Sequence, residues 1–118
     1  MEKLTNKEEE IMQILWQLEN AFVKEIVAAL PEAAHYNTIS TIVRGLEEKG
    51  FVSYNAFGKT HQYYPTVTKA AYANKYLNLA SQRFFNSSYK SMVSFFAKEE
   101  KISADELREI LAIIEKKN

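Results

Sequence analysis

The feature that most limits what this chain can become is a change of hydrophobic period at Gly50. Before it, apolar residues recur at three- and four-residue spacing. After it, "FVSYNAFGKTHQYYPTV" (Phe51–Val67) holds two β-rich runs, Phe51–Tyr54 and His61–Tyr64, around a turn containing Gly58. From Thr68 onward the helical spacing returns. A segment patterned for one period cannot bury the same residues in the other. The chain is therefore expected to hold helices, then one hairpin, then helices again.

The helices before the hairpin carry start and stop signals. Thr5 followed by Glu8 is a capping box, and Ile11, Ile14, Leu15 and Leu18 follow it, with Trp16 beside them. This predicts a first helix from near Thr5 to near Glu19. A second, short helix is expected from about Val23 to Leu30, with Val23, Ile26, Val27 and Leu30 on one side. Pro31 ends it, because the residue before a proline is pushed out of the helical region. A third begins at His35, Tyr36 or Asn37, of which Asn37 is a good capping type. Gly50 ends it as a left-handed residue just past the helix. Three helices and a hairpin in this order describe a winged helix, a variant of the helix-turn-helix motif.

The third helix has an unusual wet face. With Ile39 at the centre of the buried side and about 100° per residue, Ile42, Val43 and Leu46 stay within roughly 60° of it. Asn37, Thr41, Arg44 and Glu48 fall opposite, with Thr38 and Ser40 on the flanks. Ser and Thr form helix poorly, so a neutral surface would more often carry Glu, Lys or Ala. Short polar side chains suit a helix pressed into the major groove. Their hydroxyls reach base edges and phosphates, Asn pairs with adenine, and Arg pairs with guanine or phosphate. The turn adds Lys59, with Thr60 and His61 behind it, within reach of a phosphate or the adjacent minor groove. A tyrosine hydroxyl among Tyr54, Tyr63 and Tyr64 could add a phosphate contact.

Charge works against this reading. The whole chain of 118 residues has a formal net charge of zero. Residues 1–66 hold six Lys/Arg against nine Glu, a formal −3, which leaves +3 for residues 67–118. DNA binding would need local positive charge. A winged-helix protein–protein adaptor without DNA contact is the competing expectation, and the acidic balance favours it.

After the hairpin, Tyr72, Tyr76, Leu79 and Phe84 line one long helix. Tyr89, Met92, Val93, Phe95 and Phe96 line a short one. Ser103 and Glu106 form a second capping box, opening a helix with Leu107, Ile110, Leu111 and Ile114 inside. About fifty residues cannot shield so large an apolar load alone. A two-fold partner burying the same surfaces is the economical solution, so a homodimer is expected. Its contacts are assigned to Tyr76, Leu79, Phe84, Tyr89, Met92, Val93, Phe96, Leu107, Ile110, Leu111 and Ile114. The domain reading is 1–67 for the winged helix and 68–118 for three dimerisation helices. A regulator with a small ligand among these aromatics is a third expectation.

Other classes find little support. Cysteine is absent, which removes disulfides, thiolate metal sites and cysteine nucleophiles. The two histidines, His35 and His61, lie far apart, with no carboxylates at metal-ligand spacing. There is no Gly-rich phosphate loop, and no base is placed to activate a Ser or Thr. No enzyme activity, cofactor or metal is expected. The start, "MEKLTNKEEE", lacks the apolar stretch of a signal peptide, and no run approaches a membrane span, so a cytoplasmic location is expected.

"LTNKEEEIMQILW" (Leu4–Trp16), "YNTISTIVRGLEEKGFV" (Tyr36–Val52) and "GKTHQYYPTV" (Gly58–Val67) together resemble the penicillinase-repressor family, the BlaI/MecI/CopY transcriptional regulators. The likeness covers nearly the whole chain, including "NSSYKSMVSFFAKEEKISADEL", which resembles the family's dimerisation segment. The resemblance implies a winged-helix DNA-binding domain, a helical dimerisation domain and repression at a palindromic double-stranded operator. By offset from Gly50, Thr38, Ser40, Thr41 and Arg44 match the family's recognition-helix positions. Lys59 matches the basic wing position, and Tyr64 the aromatic that ends the wing. In members controlling β-lactam resistance, a membrane sensor and protease system triggers cleavage of an Asn–Phe bond. The corresponding bond here is Phe95–Phe96, which keeps the Phe and lacks the Asn. Copper-responsive members use a C-terminal cysteine cluster, and this chain has none.

Overall fold

The computed structural model describes residues 3–117. The chain divides into two compact units, Met1–Ala73 and Asn74–Asn118. The element order is α1 (Asn6–Leu18), β1 (Ala21–Phe22), α2 (Val23–Ala29), α3 (Tyr36–Glu48), β2 (Val52–Phe57), β3 (Thr60–Pro65), α4 (Lys69–Phe84), α5 (Tyr89–Lys98) and α6 (Ala104–Lys117). The division falls within α4.

In the first unit, local chemistry sets the helix ends. The Glu8 backbone N–H donates to Thr5 Oγ1 (3.1 Å), and the Thr5 N–H donates back to Glu8 Oε1 (2.9 Å). This is the expected capping box. Leu30 adopts an extended conformation ahead of Pro31. At the end of α3, Gly50 takes φ 82. Its N–H donates to the Glu47 carbonyl (3.0 Å), and the Phe51 N–H donates to that of Leu46 (2.9 Å). These two bonds form a Schellman motif, and its usual apolar contact partners, Leu46 and Phe51, are both buried.

The strands depart from the sequence expectation in three ways. Phe51 belongs to the helix stop rather than to a strand, and the first strand starts at Val52. The two long strands run further toward the turn, through Asn55, Ala56 and Phe57 on one side and from Thr60 on the other. Pairing across a tight loop carries these weaker β-formers along, with Phe57 opposite Thr60. A third strand, the two-residue β1, also joins the sheet. The order is β1-β3-β2, all antiparallel, with Ala21 opposite Tyr63 and Phe22 opposite Gln62. Two residues are too few to show a period, so this strand left no signal. The fold is mostly helical with a small three-stranded antiparallel sheet, a winged helix.

The core of this unit lies between the three helices and the sheet. Ile11, Met12, Leu15, Ile26, Ile39, Val43 and Leu46 have no solvent contact, and Phe51 nearly none. Trp16 donates its indole N–H to the Val67 carbonyl (2.8 Å), tying the chain beyond the hairpin to α1. Leu18, expected inside, is exposed at the last turn of α1.

An ion pair closes α1 on the end of α3. Lys49 Nζ donates to both Glu8 carboxylate oxygens (2.9 and 2.8 Å), and Glu8 is 8% exposed. Burial pushes the Glu8 carboxyl up. The Lys49 ammonium and the Thr5 N–H outweigh it together and hold the group below its usual range.

In the second unit, Ser88 caps α5 by accepting from the Ser91 N–H (3.0 Å), and Ser103 and Glu106 form the expected capping box of α6. Hydrogen bonds from Ser103 hold the Glu106 carboxyl below its usual range. Asn86 and Ser87, between α4 and α5, both take left-handed backbone conformations. Among the described residues, no helix is long and apolar enough to cross a membrane.

Candidate nucleic-acid interface

The site begins with the choice of residues on α3. Its helix starts at Tyr36 with His35 as the N-cap, and no side chain caps it. Asn37 is therefore the second helical residue, not the cap. Ile39, Val43 and Leu46 point inward, and Ile42 is half-buried. That leaves Asn37, Thr38, Thr41 and Arg44 exposed and Ser40 half-buried, as the helical wheel required. The exposed residues are linked to one another. Thr41 Oγ1 donates to the Asn37 carbonyl (2.9 Å), and an Arg44 guanidinium nitrogen donates to Thr41 Oγ1 (3.3 Å).

The wing is built by a two-residue loop. Gly58 stands first in it with φ 62, and Lys59 follows. A positive φ at the first central position is what a glycine-led hairpin turn of this length needs. Thr60 Oγ1 donates to the Phe57 carbonyl (2.8 Å) and braces the turn. The Phe57 ring stands exposed at the tip, in edge contact with Phe22 at 5.7 Å between centroids.

Helix and wing enclose an open groove of about 520 Å³. One wall is the stripe Tyr36, Ser40 and Arg44, each four residues apart on α3. The second is Lys59, Thr60, His61 and Tyr63, and the third is the start of α2, from Phe22 to Glu25. The structure thus brings four of the sequence-assigned residues together: Ser40, Arg44, Lys59 and Thr60. Asn37, Thr38 and Thr41 lie on α3 outside the groove lining. Tyr64 is half-buried and also outside it, since it follows Tyr63 on a strand and faces the other way.

The groove adds residues that the pattern did not single out. Tyr36 shares the helical stripe and could have been found by extending it one turn. Lys24 could not, because nothing local relates the second residue of α2 to the wing. His61, which the sequence places behind Lys59 in the second β-rich run, lines the groove as well.

The groove lining differs in charge from the unit as a whole. Lys24, Arg44 and Lys59 line the groove with a single carboxylate, Glu25, which accepts the Phe22 N–H (2.8 Å). Two other carboxylates of the unit are in ion pairs, Glu8 with Lys49 and Glu10 with Lys7 (2.8 Å each). Burial pushes the Tyr63 hydroxyl up, and Glu47 adds to that while Arg44 opposes it, so Tyr63 stays a neutral hydrogen-bonding group.

The residues assigned to dimerisation lie in or near the second unit. Tyr76 and Leu79 on α4 are half-buried, and Phe84 at its end is 76% exposed. On α5, Tyr89 and Val93 are exposed, Phe96 is half-buried, and Met92 is buried within the single chain. On α6, Leu107 is half-buried while Ile110, Leu111 and Ile114 are exposed. Leu77, Phe95 and Ile113 are exposed as well and were not assigned. Among the described residues, no group of three or more His, Asp or Glu could hold a metal ion.

Comparison with known proteins agrees with this architecture. The family model described as Penicillinase repressor matches residues 4–116. The methicillin resistance regulatory protein MecI of Mammaliicoccus sciuri is 30% identical over 121 residues, covering 98% of this chain and 95% of the relative. The penicillinase repressor of Bacillus licheniformis is 24% identical over 115 residues, covering 96% and 90%. Among solved structures, the complex structure of hsRosR-S4 shares the fold with a TM-score of 0.59 at 18% identity, covering 98% of this chain and 90% of that one. The chain belongs to the penicillinase-repressor family, whose members are transcriptional repressors rather than enzymes.

Proposed function

We propose that this protein is a sequence-specific DNA-binding repressor that acts as a homodimer on a palindromic operator. In this reading residues 1–67 bind DNA and residues 68–118 dimerise. α3 enters the major groove, where Asn37, Thr38, Ser40, Thr41 and Arg44 meet base edges and phosphates. Lys59, Thr60 and Tyr64 meet the backbone beside it. Two copies of α3 address half-sites about 34–36 Å apart, or a multiple of that. Two protomers double the basic contacts, which offsets the weak overall charge.

The observation that carries the reading is the groove between α3 and the wing. It gathers Lys24, Arg44 and Lys59 around one occupied carboxylate, in a unit whose formal balance is acidic. An adaptor contacting a basic or neutral partner would have no use for cations concentrated beside small hydroxyl side chains. Cleavage between Phe95 and Phe96 is not included in the reading. The bond lies inside α5, and the Asn of the family pattern is absent.

Binding to DNA from the chain's own promoter region tests the proposal. Arg44→Ala is expected to weaken specific binding by about ten- to a hundred-fold, the equivalent of losing about 1–3 kcal/mol. Lys59→Ala is expected to weaken specific and nonspecific DNA alike and to lower the salt slope by about 0.9 per chain. Failure of the wild-type protein to bind any such fragment at low salt would refute the repressor reading.

A further inference from the structure

We propose that Thr41 has a divided role on α3: its hydroxyl positions Arg44, and its methyl group is what it offers to DNA, where it selects a thymine. The inference rests on the DNA-binding reading above and deepens it by naming what one of its residues recognises.

A threonine hydroxyl has one proton and two lone pairs. On α3 the proton is already spent. Thr41 Oγ1 donates it to the Asn37 carbonyl one turn back (2.9 Å), a bond within its own helix. The same oxygen accepts from an Arg44 guanidinium nitrogen one turn ahead (3.3 Å). In this arrangement Thr41 has no proton to give a phosphate oxygen. It has none either for the acceptors that guanine, adenine and thymine show in the major groove. The lone pair that remains exchanges water for a base amine at little net gain. The methyl group differs. Thr41 is exposed in the free protein, and its methyl leaves water altogether when it packs against a thymine methyl.

The bond to Arg44 acts on a different residue of the interface. Arg44 lines the groove with Lys24 and Lys59, whereas Thr41 lies outside that lining. A free arginine samples many rotamers, and ordering it on binding costs affinity. The bond to Thr41 restrains the guanidinium before DNA arrives. It uses one of five N–H donors and leaves four for a guanine edge or a phosphate. Asn37, Thr41 and Arg44 share one helix face at four- and three-residue spacing, so the helix alone supplies this chain of bonds. Thr41 is thus a positioning residue through its oxygen and a specificity residue through its methyl group.

The test uses the full chain on the shortest duplex from its own promoter region that it binds. Thr41→Val keeps a β-branched side chain and a methyl group but removes the hydroxyl, with little change in helix propensity. It should weaken binding by about three-fold or more with Arg44 present, and hardly at all in an Arg44→Ala background. Thr41→Ser keeps both hydrogen bonds. It should lose about four-fold, the worth of one methyl group, with or without Arg44. Replacing thymine by uracil, one base pair at a time, removes only the methyl of the base. The wild-type protein should lose about four-fold at one position of each half-site, and Thr41→Ser should lose nothing there. An equal cost of Thr41→Val with and without Arg44, or indifference of the wild type to every uracil, would overturn the inference while leaving the repressor intact. No binding of the wild type to any such duplex at low salt would overturn the repressor reading and this inference together.

Discussion

Residues 4–72 close a core around Ile11, Leu15, Ile26, Ile39, Leu46 and Phe51, all with almost no solvent contact. Among the described residues from 74 onward, only Ser81 (2% exposed) and Met92 (7%) are buried, and the Ser81 hydroxyl has no hydrogen-bond partner there. The exposed apolar side chains divide the other way. Phe84, Tyr89, Val93, Phe95, Ile110, Leu111, Ile113 and Ile114 all stand open in the second unit. So many exposed apolar side chains in about 45 residues are what the proposed dimer would cover. The first unit encloses its own apolar core. The second carries the apolar inventory of a domain without enclosing it. Under the proposed function, this difference gives the two units different tasks: the first reads DNA and the second brings a second copy.

The largest expected effect comes from breaking the second unit's open surface. Charging α6 with Ile110→Glu and Ile114→Glu together should convert a dimer to a monomer in sedimentation. Operator affinity should fall by about a hundred-fold or more as the second half-site is lost. The first unit should keep its fold by circular dichroism. A dimer that survives both charges would show that α6 is not where the copies meet. The same comparison predicts that thermal unfolding of the second unit depends on chain concentration, while that of the first does not.

A matched attack on the first unit should give the opposite pattern. Leu46→Ala removes a fully buried side chain that also anchors the Schellman turn. It should cost about 2–5 kcal/mol of unfolding free energy in denaturant titration, and the dimer should persist as long as the second unit is folded. A loss under about 1 kcal/mol would mean that the helix–sheet core is looser than the burial of its residues implies.

The smallest effect concerns the ion pair between α1 and α3. Glu8→Gln replaces a charged, twice hydrogen-bonded carboxylate with a neutral amide and should destabilise the first unit by about 1–3 kcal/mol. The Glu8 carboxyl lies below its usual range when folded. Its contribution is therefore present above the unfolded-state value and disappears as pH falls through the lower folded value. Wild type and variant should converge in stability under acid, and an undiminished gap at low pH would contradict the account.

How far these regions were legible in sequence depended on whether their signals were local. Thr5 and Glu8 announced a capping box three residues apart, and the structure forms it. Gly50 announced a helix stop, and its positive φ and paired hydrogen bonds fulfil it. The small polar face of α3 could be placed by angle alone, because one helix carries all of it. The same local signals failed where a long-range partner decided the outcome. The two residues of β1 form a strand only because β3 lies beside them. Asn55 and Ala56 are poor strand residues carried along by the pairing on either side. Glu8 reads as a capping residue, and nothing nearby reveals that Lys49, 41 positions away, neutralises it. The groove was hardest to foresee. Lys24 and His61 share it with Arg44 through the packing of three elements, and no spacing in the chain relates them.

The most direct test of the central claim is selection of genomic fragments by the purified protein, followed by sequencing. The account predicts enrichment of fragments that share one two-fold-symmetric motif. Its half-sites should be centred about one helical turn of DNA apart, or a multiple of that, and Arg44→Ala should weaken the enrichment. Recovery of no common motif, or of a motif without two-fold symmetry, would contradict a dimer reading DNA through α3.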